Sequence, residues 1–535
     1  MAIDGVSGRT SYIGSGILNL RSQLETLTEQ LATGRKSTTY AELGAGRSLT
    51  IGIRAQLSNY QSYADTAVNV NTRINVANLA LERLNAINST VKGAAVSAGS
   101  TLDNTGQTAG QKTAVLNFYD AVDMLNSQSG DRYLFGGRST DNAPVVAADK
   151  LLNGDGAGVA GLKQVINERR AADVGAAPNW GRVIVSTPAS ATAVQIGEDF
   201  AANPYAVPPV GPSPFGLKLS AIATTITGAV ITQPTETPPT VPPAAPNPKA
   251  MSIDLVGGNP TDGQNVSFTF DLPDGSRETI TLTASTATPV PVNGFAIDQG
   301  DPLAVPPVAP DPVKTATNMK AALTEAVKQL ANGALASASA IQAGADFFSQ
   351  PPLRVAGTAP FTGATAQVSG TAADTVIWYT GENPTSPGDT ARGSAVAKID
   401  DNITVQYGAR ANEQALRTLL QNVAVFAAVT TNITDINASG KIAGLNQRLA
   451  QNLAVIPGTQ TIQNIQADFA GAQASIKTTT DRQTQSKSIS QTLLDSIEGI
   501  NNDEVATKIL ALQTALQASY QTTSQLYQMS LVKFL

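Results

Sequence analysis

Cysteine and histidine are both missing from this 535-residue chain, aromatics make up only 5% of it, and charged residues only 14%. Without histidine it lacks the side chain most used for proton transfer near neutral pH, and without cysteine it has no thiolate chemistry. Zinc, haem and disulfide frameworks lose their usual ligands or staples with them. The missing cysteine fits either redox compartment. Basic residues are slightly outnumbered, 35 Lys and Arg against 41 Asp and Glu: a net charge of −6 and a pI near 5.0 argue against a nucleic-acid binder, which shows a basic patch. No apolar run reaches the roughly 18 residues of a membrane span, and Met1-Ala2-Ile3-Asp4-Gly5 shows no basic and apolar leader pattern. Ala, Thr, Ser, Asn and Gln fill the space. The length predicts two to four domains.

What is present begins at the two ends. Ile13, Ile17, Leu20, Leu24, Leu27 and Leu31 alternate steps of four and three, the seam of a left-handed coiled coil. Val505, Ile509, Leu512 and Leu516 do the same near the other end, and the beat resumes at Leu526. A seam one stripe wide buries nothing alone, and isolated helices of this length are marginal in water. Each end therefore needs a partner, and the simplest is the other end.

Between them, Gly34 stops the first helix, and a long helical pattern runs from about Leu49 to Ala98, with Ile53, Leu57, Tyr60, Val70, Ile74, Ala77, Leu81, Leu84, Asn88 and Val91 on one face. It would be roughly 75 Å long. Gln111 to Ser127 reads as a third helix and Tyr133 to Gly137 as a short strand. From Asp141 the character shifts to short β-like runs among Pro and Gly. Arg182 to Val185, Thr375 to Thr380, Ala395 to Ile399 and Ile403 to Tyr407 are candidate strands. Val266 to Phe270 and Glu278 to Leu282 alternate around Pro273-Asp274-Gly275, a strong hairpin signal, followed by a helix over Thr315 to Leu330. Helical patterning returns near Ala411, with a seam of Ile462, Ile465, Phe469, Ala472, Ile476, Thr479, Gln483, Ser486, Ser490, Leu493, Ile497 and Ile500. A break follows, with Asp503 placed to cap the last helix.

The expected layout is a mainly α rod of long paired N- and C-terminal coiled-coil helices carrying a β-rich or mixed inserted middle. Its segments are an N-terminal assembly helix (1–48), the first part of the helical rod (49–145), a β-rich outer domain (146–249), a Pro-flanked inserted subdomain (250–350), the rest of the outer domain (351–410), the returning rod (411–500) and a C-terminal assembly helix (501–535).

No catalytic constellation assembles in this order of residues. Gly156-Ala157-Gly158-Val159-Ala160-Gly161 is a formal dinucleotide fingerprint, yet no βαβ alternation surrounds it and no acid stands about 20 residues on, so it reads as a loop. Asp400-Asp401 reads as a turn and Glu168-Arg169-Arg170 as a solvated helix face. Trp180 and Trp378 fit core or edge positions as readily as a binding platform. No catalytic, cofactor-binding or metal-ligating residue is expected, and no cofactor.

Three segments carry a resemblance: Leu27 to Lys36 (LTEQLATGRK), Tyr133 to Pro144 (YLFGGRSTDNAP), and Ile509 to Tyr520 (ILALQTALQASY) with the apolar end Leu531 to Leu535. The chain resembles the flagellin superfamily over roughly its first 145 and last 125 residues. The Tyr-Leu-Phe-Gly-Gly segment is similar to the hook–filament junction branch, while the length leaves filament flagellin as the alternative. The sequence departs from the pattern at Thr38-Thr39-Tyr40-Ala41-Glu42, where an Asp-Asp pair is usual, and at Val145, where an aromatic is common. The resemblance implies a flagellin-like fold and a non-enzymatic structural subunit of the extracellular bacterial flagellum, exported unfolded by a type III apparatus with an export chaperone. It further implies self-association and contact with neighbouring axial proteins through Ile13, Ile17, Leu20, Leu24, Leu27, Leu31, Ile509, Leu512, Leu516 and Leu526. Nucleic acid and membrane are not expected partners.

Overall fold

The computed structural model describes residues 4–97, 99, 101–199, 213–237, 247–386 and 388–532. Its helices are α1 (Asp4–Thr33), α2 (Arg47–Ser97), α3 (Ala109–Leu125), α4 (Ala148–Asn153), α5 (Leu162–Val174), α6 (Pro312–Leu330), α7 (Ala336–Phe347), α8 (Gln414–Ala428), α9 (Ala438–Asn452), α10 (Ile462–Glu498) and α11 (Asn502–Val532). The strands are β1 (Gln128–Ser129), β2 (Arg132–Tyr133), β3 (Val183–Ser186), β4 (Ala193–Glu198), β5 (Lys218–Thr224), β6 (Val230–Thr237), β7 (Asn247–Asp254), β8 (Asn265–Asp271), β9 (Arg277–Ser285), β10 (Gly294–Ala296), β11 (Leu353–Val355), β12 (Gln367–Ser369), β13 (Val396–Asp400) and β14 (Ile403–Gln406). Long helices occupy both ends of the chain and mixed sheets its middle. Two units divide it: Met1–Asn71, Val396–Val405 and Gly471–Leu535 form the terminal unit, and Thr72–Ala395 with Gln406–Ala470 form the central unit.

In the central unit the core lies between two four-stranded sheets and α6. One sheet has the order β3-β4-β7-β6, all antiparallel; the other has the order β10-β9-β8-β5, with β10 parallel to β9. Alternation explains the second sheet. Val266, Phe268 and Phe270 of β8 point inward and are fully buried, while Ser267 and Thr269 point outward and pair their hydroxyls with Thr281 (2.9 Å) and Thr279 (3.0 Å) of β9. The β8–β9 turn closes where Gly275 adopts a left-handed φ of 81° and Asp274 accepts from the Ser276 amide at 3.0 Å. Met319, Leu323 and Val327 of α6 share the core with Ile196, Met251, Ile253, Leu219 and Leu282 from both sheets. Asp311 caps α6, with Pro312 at its first position.

Sheet pairing runs across the boundary at residue 250 that the Pro-rich flanks suggest. β7 pairs with β4 and β6, and β5, from before that boundary, pairs with β8 from after it. Two expected strands do not form as such. Thr375 to Thr380 makes only single bridges, Thr375 to Ala160 and Tyr379 to Val145. In Tyr133 to Gly137 only Tyr133 lies in a ladder, while Phe135 is fully buried and Gly136 bridges to Arg410. Trp378 is likewise fully buried, edge-on to Phe348 with ring centres 5.3 Å apart, and Trp180 is half-buried against the core.

The largest correction concerns Glu168-Arg169-Arg170. Arg169 is 4% exposed; its Nε donates to Asp173 (2.7 Å) and its Nη1 to Asp346 of α7 (2.8 Å). Glu168 is buried on Arg354 at 2.8 Å. A charged triplet on a helix looks solvated from its letters alone, but its partners lie far along the chain, beyond the reach of local periodicity. The Arg169 guanidinium also lies 5.0 Å from the centre of the Phe215 ring.

Candidate functional site: the joined chain termini

The terminal unit brings the two ends of the chain together. α1 and α11 pack along each other. Ile13, Ile17, Leu20, Leu24 and Leu27 of α1 are half-buried, as are Ile509 and Leu512 of α11; Val505 and Leu516 are buried. Leu31 and Leu526 depart from this, at 41% and 37% exposed. At the end of α1 the half-buried position belongs to Gln30, whose amide donates to the Lys36 carbonyl at 2.6 Å. On α11 the stripe continues through half-buried Ser519 and Thr523. A straight helix drifts against a seven-residue repeat, so a strict four-three count overshoots toward its ends.

A built joint holds the base of this pair. Gly34 takes φ 70° just past α1, and the chain then runs antiparallel to the end of α10: the Lys36 amide donates to the Glu498 carbonyl (2.7 Å) and the Ile500 amide to the Gly34 carbonyl (3.2 Å). Lys36 Nζ donates to the carbonyls of Ser496 (3.2 Å) and Ile497 (3.1 Å), orphan acceptors at a helix C-terminus. Arg54 grips Glu498 with two bonds, 3.0 and 2.6 Å, which raise the guanidinium above its ordinary value, and it stands 5.9 Å from the Tyr40 ring centre. Gly46 lets the chain pass close to this joint: a Cβ there would meet the Ile497 side chain at 3.0 Å, a tight contact.

Asn501, rather than Asp503, caps α11. Its Oδ1 accepts from the amides of Asp503 (3.1 Å) and Glu504 (3.3 Å). The Glu504 carboxyl is held below its ordinary value by the hydrogen bond from Lys508 at 2.6 Å. Along α10 the seam also shifts: Thr479, Gln483 and Ser490 are buried, but Leu494 follows them inward and Leu493 turns out. Buried Gln483 donates to the Ile399 carbonyl of β13 at 2.7 Å, and Arg482 pairs with Asp400. Asp401, in the turn before β14, accepts from the Tyr63 hydroxyl at 2.8 Å. The adjacent carboxylates thus diverge to different helices.

The outer surface of the α1–α11 pair is unusual. Tyr12, Leu18, Leu510, Tyr520, Tyr527 and Met529 are exposed, and no charged residue stands between Lys508 and Lys533. A solvent-facing helix ordinarily carries charge on its free face; α1 does, with the exposed pair Arg21–Glu25, whereas α11 beyond Lys508 carries amides, hydroxyls and apolar groups. Such a surface suits close packing against another protein.

Elsewhere, the Gly156 to Gly161 loop folds on itself: Asp155 accepts from the amides of Ala157 (2.9 Å) and Val159 (3.0 Å), which hold its carboxyl below the ordinary range. Gly161 precedes α5, where a Cβ would strike the Gly154 amide nitrogen at 2.3 Å. Among the described residues no group of acidic side chains is arranged to hold a metal ion, and no helix is long and apolar enough to cross a membrane. The chain matches no known protein-family model and no curated protein sequence.

Proposed function

We propose that this chain is a structural, non-enzymatic subunit of the bacterial flagellum, of the hook–filament junction type (hook-associated protein 3), that polymerises through its joined terminal helices. The observation that carries this reading is the α1–α11 pair: a narrow stripe of buried and half-buried residues on each helix, with Leu18, Leu510 and Met529 exposed and no charged residue in the α11 sequence between Lys508 and Lys533. Full burial of a Leu or Met is worth about 1.5–3 kcal/mol. Most of that gain at Leu18, Leu510 and Met529 is unrealised in a single copy. Neighbouring copies, a neighbouring hook-associated protein and flagellin supply the cover. Contacts that repeat head to tail without closing build a helical filament. The three sequence segments that resemble the flagellin superfamily support the same assignment.

On this reading the chain leaves the cell unfolded through the flagellar type III apparatus, with an export chaperone, and serves motility from outside the cell. Electron microscopy of cells lacking the chain tests it, together with an assay for flagellin in the medium. Hooks without filaments and shed flagellin monomers are the expected result. Filaments merely shortened or reshaped, or intact hooks with no other flagellin to shed, would instead make it a filament subunit; normal filaments would end both readings.

A further inference from the structure

The two arginines side by side on α5 have opposite fates. Arg169 is enclosed by two carboxylates. Arg170 is half-buried, and among the described residues no carboxylate lies within ion-pair distance of it; it donates to Asn167 Oδ1 at 3.1 Å. A guanidinium carries five N–H donors in a planar fork, so most of that capacity is unspent. Burial pulls Arg170 below its ordinary value, with the charge of Asp435 opposing.

Arg170 opens on a cavity of about 840 Å³ within the central unit, walled by the turn before α3, by α5, the start of α7, the loop between β11 and β12, and the loop between α8 and α9. This is within the usual size of a small-molecule site, roughly 300–1,000 Å³. Its lining includes Asn104, Asn332 and Thr430, which offer amide and hydroxyl groups, and the pair Lys441–Asp435 at 2.5 Å. Asp435 is tied down from two sides, by Lys441 and by the Asn437 amide at 2.9 Å. Asp435 thus faces Arg170 by charge alone, and among the described residues lining the cavity Arg170 is the cation without an ion-pair partner.

Among the described residues no aromatic side chain lines the walls, so they offer no face on which a nucleobase or flavin would stack. A single fork-shaped cation among groups that both donate and accept matches a ligand with one carboxylate and several hydroxyls. We infer that this cavity binds a carboxylated saccharide of the uronic-acid class, its carboxylate on Arg170 and its hydroxyls on the amide and threonine walls. The site is independent of the assembly surface, so either reading can fail alone.

Isothermal titration of the full chain with glucuronate, glucose and inorganic phosphate tests it. Glucuronate is expected to bind, with glucose and phosphate each weaker by about tenfold or more. Arg170→Gln should weaken glucuronate by about tenfold or more at an unchanged melting temperature. Ala171→Leu, which fills the cavity without touching charge, should weaken it as well and decides the matter if the first variant misfolds. No glucuronate binding, binding unaffected by both variants, or glucose bound equally well would overturn the assignment. Phosphate bound as tightly as glucuronate would reduce the site to a plain anion pocket and overturn it too.

Discussion

Arg169 in the central unit and Leu510 in the terminal unit stand at opposite extremes: one is a charge held inside, the other an apolar side chain 65% exposed. Around Arg169 three segments contribute acceptors: Asp173 of α5, Asp346 of α7 and the Pro214 carbonyl at 3.3 Å. Buried charge costs several kcal/mol per ion unless it is paired and hydrogen-bonded, and this cluster is complete within one chain. Arg448 repeats the pattern, held between Asp274 (2.7 Å) and Glu278 (3.2 Å) of the β8–β9 hairpin. Leu510 has no such completion. The contrast teaches that the Arg169 cluster is satisfied within one chain, whereas the apolar groups on the free face of α11 are left in solvent.

Breaking the seam should have the largest effect. On the proposed reading as a flagellar subunit, Leu24→Asp or Leu516→Asp, which puts a charge on the seam of α1 or α11, should abolish incorporation into the flagellum, while the stability of the central unit stays within about 0.5 kcal/mol of the parent. Incorporation of both variants at normal levels would show that the seam is not the assembly element. Asp346→Ala is next: it strips one of two carboxylates from Arg169 and should cost about 3 kcal/mol, read as a lower denaturation midpoint of the central unit. A midpoint unchanged by that substitution would mean that the cluster is no more essential than a surface pair.

Asn501→Ala removes the cap of α11 and should cost about 1 kcal/mol, visible as faster amide exchange in the first turn of α11; Asp503→Ala should do less. The smallest effect is a pH dependence at Asp435. Burial pushes its carboxyl up, but the bonds from Lys441 and the Asn437 amide outweigh this and leave it below its ordinary value. A lowered folded-state value stabilises above the unfolded value of about 3.9 and is lost as pH falls through the folded one. Denaturation midpoints between about pH 5 and 3 should therefore fall less steeply in Lys441→Met than in the parent.

Much of the local structure was legible in the residues. The Pro273-Asp274-Gly275 hairpin, the long helix α2 and the seams of the terminal helices all rest on short-range periodicity and turn chemistry, which depend on neighbours a few positions away. Long-range choices were not legible. Nothing near Arg169 announces Asp346, and nothing in β5 announces that it pairs with β8 while β7 passes to the other sheet. The cap at Asn501 was missed by two positions because Asn, Asn and Asp stand in a row, each able to cap. In the candidate site, eight of the ten expected seam residues are buried or half-buried and Leu31 and Leu526 are exposed, while Lys36, Arg54 and Glu498 were not readable. Their one signal was Gly34, which marks where the chain must turn.

The joint between Gly34–Lys36 and Glu498–Ile500 has a consequence in chain statistics. Lys36 reaches a carbonyl 460 positions away, so almost the whole polypeptide is the loop that this clasp closes. The entropy of closing a flexible loop grows only with the logarithm of its length, about 0.6 kcal/mol for each doubling. The intervening sequence can therefore be lengthened, trimmed or exchanged by whole segments at small cost to the clasp, and the two ends would still meet in register.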